Sequence, residues 1–238
     1  EGEETIQLAI QSRQSSISIQ IWKEYTDQIE ISIINPSGVR VGPVPEILGP
    51  HRFRIGQTEI LLYYGEPSPY SISQEIYIDL LPVESYLTEG IWRIVLSAGK
   101  IVTGQYEMWL PSDNVLNRGT GFLFPTDATT LTIPSSASRA ISVGAYDART
   151  FAYADFSGRG FTRLTNMVKP DLVAPGVEVM TTTVGGGYAA FTGTSFATPF
   201  VTGSAALLME WGIVRKNDPY LYGEKVKAYL RRGAKKVP

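Results

Sequence analysis

Gly193-Thr194-Ser195-Phe196-Ala197-Thr198-Pro199-Phe200-Val201-Thr202-Gly203 decides the fold of the second half of this chain. Glycines at 185–187 and at Gly193 let the backbone bend sharply, because glycine enters left-handed conformations at little steric cost. A helix is predicted from Ser195 to about Trp211, with Ala197, Val201, Ala205, Leu208 and Met209 recurring at spacings of three and four. Ser195 then stands in the first turn, where unpaired N–H groups and the helix dipole favour negative charge. A serine attacking a carbonyl creates an oxyanion, and the serine's own N–H lies close enough to donate to it. Small residues at 197, 198 and 203–205 allow tight packing, and Pro199 is expected early in the helix, where a missing N–H costs least. Gly-Thr-Ser at a helix start is also an ordinary N-cap. The tripeptide alone decides nothing.

Upstream of this helix, 130–134 and 140–145 are predicted strands, and 172–174 and 177–181 follow, broken by Pro175-Gly176. A last helix is expected over 222–231, with basic residues in its final turn, as the dipole favours. Strands followed by helices that pack on them indicate an α/β layer, and only the back half of one. The first part of the chain alternates instead with period two. Segments 5–10, 16–22, 28–34, 52–55, 59–64, 74–80, 91–96 and 105–110 are short, rich in Ile, Tyr and Trp, and separated by turn formers such as Asn35-Pro36-Ser37-Gly38 and Ser97-Ala98-Gly99-Lys100. Eight strands without a helix predict an antiparallel β-sandwich of jelly-roll kind. The junction is expected at Pro111-Ser112-Asp113-Asn114, giving a sandwich over 1–112 and an α/β part over 113–238.

Composition narrows the function classes. The 238 residues are 43% hydrophobic with a net charge of −2, and Lys and Arg are dispersed except near the end. That pattern points away from nucleic acid or an anionic membrane as a partner. The absence of cysteine excludes disulfides, thiolate metal sites and a cysteine nucleophile. No apolar run approaches the roughly 18 residues of a membrane span. The opening Glu1-Gly2-Glu3-Glu4 has neither a basic nor an apolar leader, and is expected to be the cut end of a longer protein.

The blocks around Ser195 carry a resemblance. Gly193-Thr194-Ser195-x-Ala197-x-Pro199-x-Val201-x-Gly203 is similar to the serine motif of the subtilisin family of serine endopeptidases. The sequences ISVGAYD at 141–147, Ala154-Asp155-Phe156-Ser157-Gly158-Arg159-Gly160 and Lys169-Pro170-Asp171-Leu172-Val173-Ala174-Pro175-Gly176 resemble further blocks of that family, in its order. The resemblance implies a subtilisin-like three-layer fold, of which this is the C-terminal part. It implies Ser195 as the acyl-forming nucleophile, the Thr194 side chain as oxyanion support, and a protein or peptide substrate. Phe196 departs from the Met common at its position, which changes the leaving-group side of the cleft. A sandwich inserted before the Val-Gly-Ala-Tyr block, ending in Tyr106-x-Met108-Trp109-Leu110-Pro111, resembles the Csp-type subtilases of clostridia, as does 207–212. Members of that group process a protein precursor during spore germination, and some are pseudoproteases. This implies a bacterial protein, secreted or tied to the cell envelope or spore; the residues themselves name no compartment.

Serine needs a base within hydrogen-bond reach. The family order is Asp, His, Ser, so both partners are expected upstream. The one histidine, His51, lies in the sandwich without the family's His block, and reads as a loop or edge-strand residue. Asp147, Asp155 and Asp171 fall outside the family's Asp block, and Asp171 reads as a turn or capping residue. Ser97-Ala98-Gly99-Lys100 reads as a sandwich turn rather than the Ala-Gly-Asn oxyanion motif, and no spacing supports a Ser–Lys dyad with Lys100 or Lys169. Loss of the histidine alone costs about 10⁶ in kcat, a magnitude measured on a subtilisin itself. The chain alone is therefore expected to be inert. Trp22, Trp92 and Trp109 read as sandwich core, with a carbohydrate platform as the alternative; Asp27, Glu30, Asp79 and Glu84 form no spaced calcium loop. No cofactor or metal site is expected, although the resemblance leaves calcium open for a longer protein. A pseudoprotease, or a sandwich that serves as a recognition module, are the rival functions.

Overall fold

The computed structural model describes residues 2–112, 115–163 and 165–236. The chain divides into two compact units between Pro125 and Thr126. That division lies beyond the expected junction, of which Asp113 and Asn114 fall outside the described residues. Residues past 112 stay with the first unit because Gly121 and Phe122 pair with Ala9 and Leu8.

The first unit is an antiparallel β-sandwich. Its strands are β1 (Glu3–Ile10), β2 (Ile17–Glu24), β3 (Ile29–Ile34), β4 (Arg40–Val44), β5 (Gly49–Ile55), β6 (Thr58–Tyr64), β7 (Ser73–Pro82), β8 (Gly90–Ala98), β9 (Tyr106–Trp109) and β10 (Gly121–Phe122). One sheet runs β10-β1-β8-β3-β4 and the other β5-β6-β7-β2-β9. Two of these strands escape the period-two pattern. β4 contains Gly42 and Pro43, poor strand formers tolerated at a sheet edge, and β10 has only two residues. Period-two alternation builds the core directly: Ile17, Ile19 and Ile21 are buried between Ser18, Gln20 and Trp22. Isoleucines and leucines of both sheets join Tyr64 and Trp92 in one buried cluster.

The tryptophans split. Trp92 is 1% exposed and belongs to the core. Trp22 and Trp109, expected beside it, take the opposite phase. Ile21 and Met108 are their inward neighbours, so both rings fall on the outer face of the second sheet.

Two buried charges inside the sandwich, Asp27 and Lys23, are satisfied where chain segments meet. Asp27 is buried, and its carboxylate accepts the N–H groups of Val102, Thr103 and Gly104 at 2.6, 2.9 and 2.8 Å. Burial opposes its ionisation, but those donors and Lys23 hold it below the usual carboxylate range. The Lys23 side chain, wholly buried, pairs with Glu46 at 3.1 Å and donates to the Asp27 and Glu24 carbonyls. Removing one partner of such a pair leaves an uncompensated buried charge. Glu46→Ala is expected to cost about 3 kcal/mol in urea unfolding, and adding Lys23→Met to recover most of it.

The second unit comprises β11 (Val143–Tyr146), β12 (Gly160–Phe161), β13 (Val168–Lys169), β14 (Leu172–Pro175), β15 (Val179–Thr182), β16 (Tyr188–Phe191), α1 (Thr194–Met209), a π-helical turn (Glu210–Val214) and α2 (Glu224–Gly233). β11 and β14 are parallel, with Ala145 opposite Ala174. β15 and β16 form a hairpin whose turn is Gly185–Gly187, all at positive φ, so these glycines serve the hairpin rather than the helix entry. Residues 130–134 are not a strand: Pro134 has no N–H for a ladder, and Ile133 is 90% exposed. α1 and the π turn together make 21 residues containing an 18-residue window of mean hydropathy 1.2, enough by length and composition to cross a membrane. The absence of any run of that length, expected from sequence, is thus corrected. Its small Thr, Ser, Gly and Ala residues masked the stretch.

Asp171 is more than a turn residue. Its side chain is 3% exposed and accepts from Lys169 at 2.7 Å, from Lys227 of α2 at 2.9 Å and from the Ser142 N–H at 2.9 Å. Both ammonium groups also donate to the Ala140 carbonyl. Burial pushes the Asp171 carboxyl up, but the two lysines and the Ser142 amide more than offset it, and the net shift is downward from 3.8. A carboxyl depressed on folding stabilises above its unfolded pKa, and that contribution disappears as pH falls through the folded value. Stability of this unit is therefore expected to drop below about pH 4, with a shallower acid limb in Lys227→Met, read by thermal melts across pH.

Candidate active site

The turn that carries Ser195 is built by close backbone approach. Gly176 closes β14, donates its N–H to the Tyr146 carbonyl at 3.0 Å and accepts the Gly193 N–H at 2.8 Å. Two residues on, the Glu178 N–H donates to the Thr192 hydroxyl at 3.0 Å. Two hydrogen bonds thus stitch the Ala-Pro-Gly segment to the residues before Ser195. A Cβ on Gly176 would lie 2.5 Å from the Ala145 Cβ, 3.1 Å from the Gly193 carbonyl oxygen and 3.3 Å from the Ala197 Cβ. Only glycine fits that corner. Gly193 itself is at φ +151 and caps the helix without a side-chain hydrogen bond.

α1 then leaves the turn with Ala197 fully buried against Ala145, Ala154 and Ala174. This four-alanine contact lets helix and strands pack closely. Ser195 is the second residue of α1 and is exposed. At the helix start the Gly193 and Phe196 N–H groups bond the Gly176 and Gly193 carbonyls, while the Thr194 and Ser195 amides lie too early in α1 to have an intrahelical acceptor. Pro199 is the sixth helical residue, later than expected from sequence, and it lacks the N–H that would bond the Ser195 carbonyl. Thr194 is half-buried, and its carbonyl accepts the Thr198 hydroxyl at 2.9 Å. Phe196 stacks on Phe191 of β16, centroids 5.2 Å apart, so the ring after the serine is braced by the hairpin.

Supports that the sequence did not single out lie beneath β11. The Ser157 hydroxyl accepts the Ala145 N–H at 2.9 Å and donates to the Tyr153 hydroxyl, which in turn donates to the Gly158 carbonyl at 2.8 Å. Their signal in the sequence was the 154–160 block, which marks a motif without saying what each residue does.

The other titratable candidates are engaged elsewhere. His51 lies in β5, its Nε2 2.8 Å from the Ile47 carbonyl and its ring against Phe53 and Tyr64. Asp147 is bound by the Arg149 guanidinium, which holds its carboxyl below the usual range. Asp155 is exposed, and Asp171 is taken up by the lysines. Among the described residues, no three His, Cys, Asp or Glu side chains gather where they could hold a metal ion.

The subtilase family model matches residues 92–237, more than half of the chain. The chain belongs to the subtilase family. A solved structure, the CspB protease of Clostridium perfringens, is 37% identical with a TM-score of 0.92, covering 100% of this chain and 50% of that one. The serine protease AprX of Bacillus subtilis is 32% identical over 130 residues, 46% of this chain and 28% of that protein. Subtilisin BL of Lederbergia lenta is 35% identical over 107 residues, 45% of this chain and 35% of that protein. The chain thus spans half or less of the length of these relatives.

The Gly176 corner is directly testable. Gly176→Ala must push apart Ala145, Gly193 and Ala197, an overpacking strain of about 1–3 kcal/mol. A thermal melt is expected to show that loss, with Gly187→Ala, in the exposed hairpin turn, as the comparison for left-handed strain alone.

Proposed function

We propose that this chain is the nucleophile-bearing part of a subtilisin-type serine endopeptidase that cleaves peptide bonds by acyl transfer through Ser195. The observation that carries the reading is an exposed serine at the start of a helix, seated by a glycine corner beside unpaired amides, in a chain of the subtilase family. In the proposed reaction the Ser195 oxygen attacks a substrate carbonyl, and its proton passes to an imidazole supplied by chain preceding Glu1. The Ser195 N–H donates to the oxyanion, with Thr194 as support. The substrate is a protein or peptide, with a protein precursor cut at a defined site as the preferred class. No cofactor enters these steps.

The exposed side of α1 and the π turn supports placing the Asp and His in further chain. Phe200, Leu207, Trp211 and Val214 are 47, 69, 44 and 72% exposed, an apolar surface that water disfavours and that a folded protease would cover. The sandwich, which we read as a jelly-roll-like insertion, then braces the protease.

A protein extended upstream to include the Asp and His blocks is expected to react with a fluorophosphonate probe, and Ser195→Ala to abolish that labelling. The 238-residue chain is expected to label at least about 10⁴-fold more slowly. A folded extended protein that fails to label would favour the pseudoprotease reading, in which the scaffold serves binding or regulation.

A further inference from the structure

The outer face of the second sandwich sheet has a composition that its supporting role does not require. Pairing registers place Tyr63 opposite Tyr77, Tyr77 opposite Gln20, and Gln20 opposite Trp109. These four side chains form one row across β6, β7, β2 and β9, on the face away from the isoleucine core. Trp22 lies on the same face, opposite Glu75 and Glu107. At one end of the row is a cleft of about 410 Å³ lined by Pro50, Arg52, Leu61, Tyr63, Tyr77 and Asp79. That volume is in the range of small-ligand sites.

The polar groups around the rings are oriented in pairs. Asp79 accepts the Ser18 hydroxyl at 2.7 Å, Gln20 donates to Glu75 at 2.9 Å, and Arg52 pairs with Glu59 at 3.1 Å. The Tyr63 and Tyr77 hydroxyls have no hydrogen-bond partner among the described residues. An exposed Tyr63 and half-buried Tyr77 and Trp109, alternating with carboxylate, amide and guanidinium edges, suit a ligand with apolar C–H faces and a rim of hydroxyls. A charged polymer would meet both signs here, and a purely apolar partner would strand the carboxylates. Neighbouring strands are about 4.8 Å apart, close to the rise of one ring in an extended β-linked glycan. A row across four strands therefore offers one contact per sugar.

We propose that this face binds an extended β-linked oligosaccharide, with Tyr63 and Tyr77 stacking on neighbouring rings, Trp109 stacking two rings beyond Tyr77, and Asp79, Gln20 and Arg52 bonding the hydroxyls. The site is independent of Ser195. Folded 238-residue chain is titrated with N-acetylglucosamine oligomers and cello-oligosaccharides of two to six rings, following tryptophan fluorescence and calorimetric heat. Saturable binding is expected, with affinity rising up to about four rings and then levelling. Tyr77→Ala is expected to weaken it about tenfold or more, whereas Tyr77→Phe keeps most of it, both with unchanged circular dichroism. No saturation by any oligomer, or equal affinity in Tyr77→Ala, overturns the proposal. A proline-rich decapeptide that binds with the same Tyr77 dependence, where the sugars do not, overturns it in favour of peptide docking.

Discussion

A missing Cβ at Gly176 is the constraint on which the second unit depends. Three separate parts of the chain converge on it: β11 through Ala145, the turn before Ser195 through Gly193 and α1 through Ala197. Because the Gly193 N–H bonds the Gly176 carbonyl, the helix start is referenced to the end of the parallel strand pair rather than to a flexible loop. The same strand pair is anchored at its other end by the Lys169–Asp171–Lys227 cluster, which ties in α2. Ser195 is held from a rigid frame while its hydroxyl remains open to solvent. This division between a fixed backbone and a free side chain is what nucleophilic catalysis asks of a serine.

The two units reach stability by different means. The sandwich has a continuous core of isoleucine, leucine, Tyr64 and Trp92, with buried charges neutralised by neighbouring loops. The second unit has a small buried cluster of four alanines, and its principal helix keeps much of its apolar surface exposed. Small side chains give close approach but little buried area, so this unit gains less hydrophobic stabilisation per residue. Its buried Asp171 cluster adds cohesion that depends on ionisation, unlike packing, and so ties the unit to pH.

How much was legible in the sequence differs by element. Period-two alternation marked eight of the sandwich strands, and the spacing of Ala197, Val201 and Ala205 marked α1, because repeating burial leaves a repeating pattern. β4 and β10 left none, since an edge strand with Gly42 and Pro43 and a two-residue strand have no alternation to read. The Ser195 motif was legible because a closely packed helix entry restricts residue types at several fixed spacings. Asp171 was misread as a turn residue, because its partner Lys227 lies 56 positions away in a helix that local sequence cannot bring near it.

What the sequence alone determined is the family: an ordered set of blocks ending at Ser195, in a chain of alternating strands followed by an α/β part. What only the tertiary structure decided is which atoms meet. The phase of Trp22 and Trp109, the clash that forbids a side chain at Gly176, and the sharing of one carboxylate by two lysines are all contacts between distant segments. Local preference sets the period of a pattern, but the face that becomes the inside is chosen by the partners that cover it.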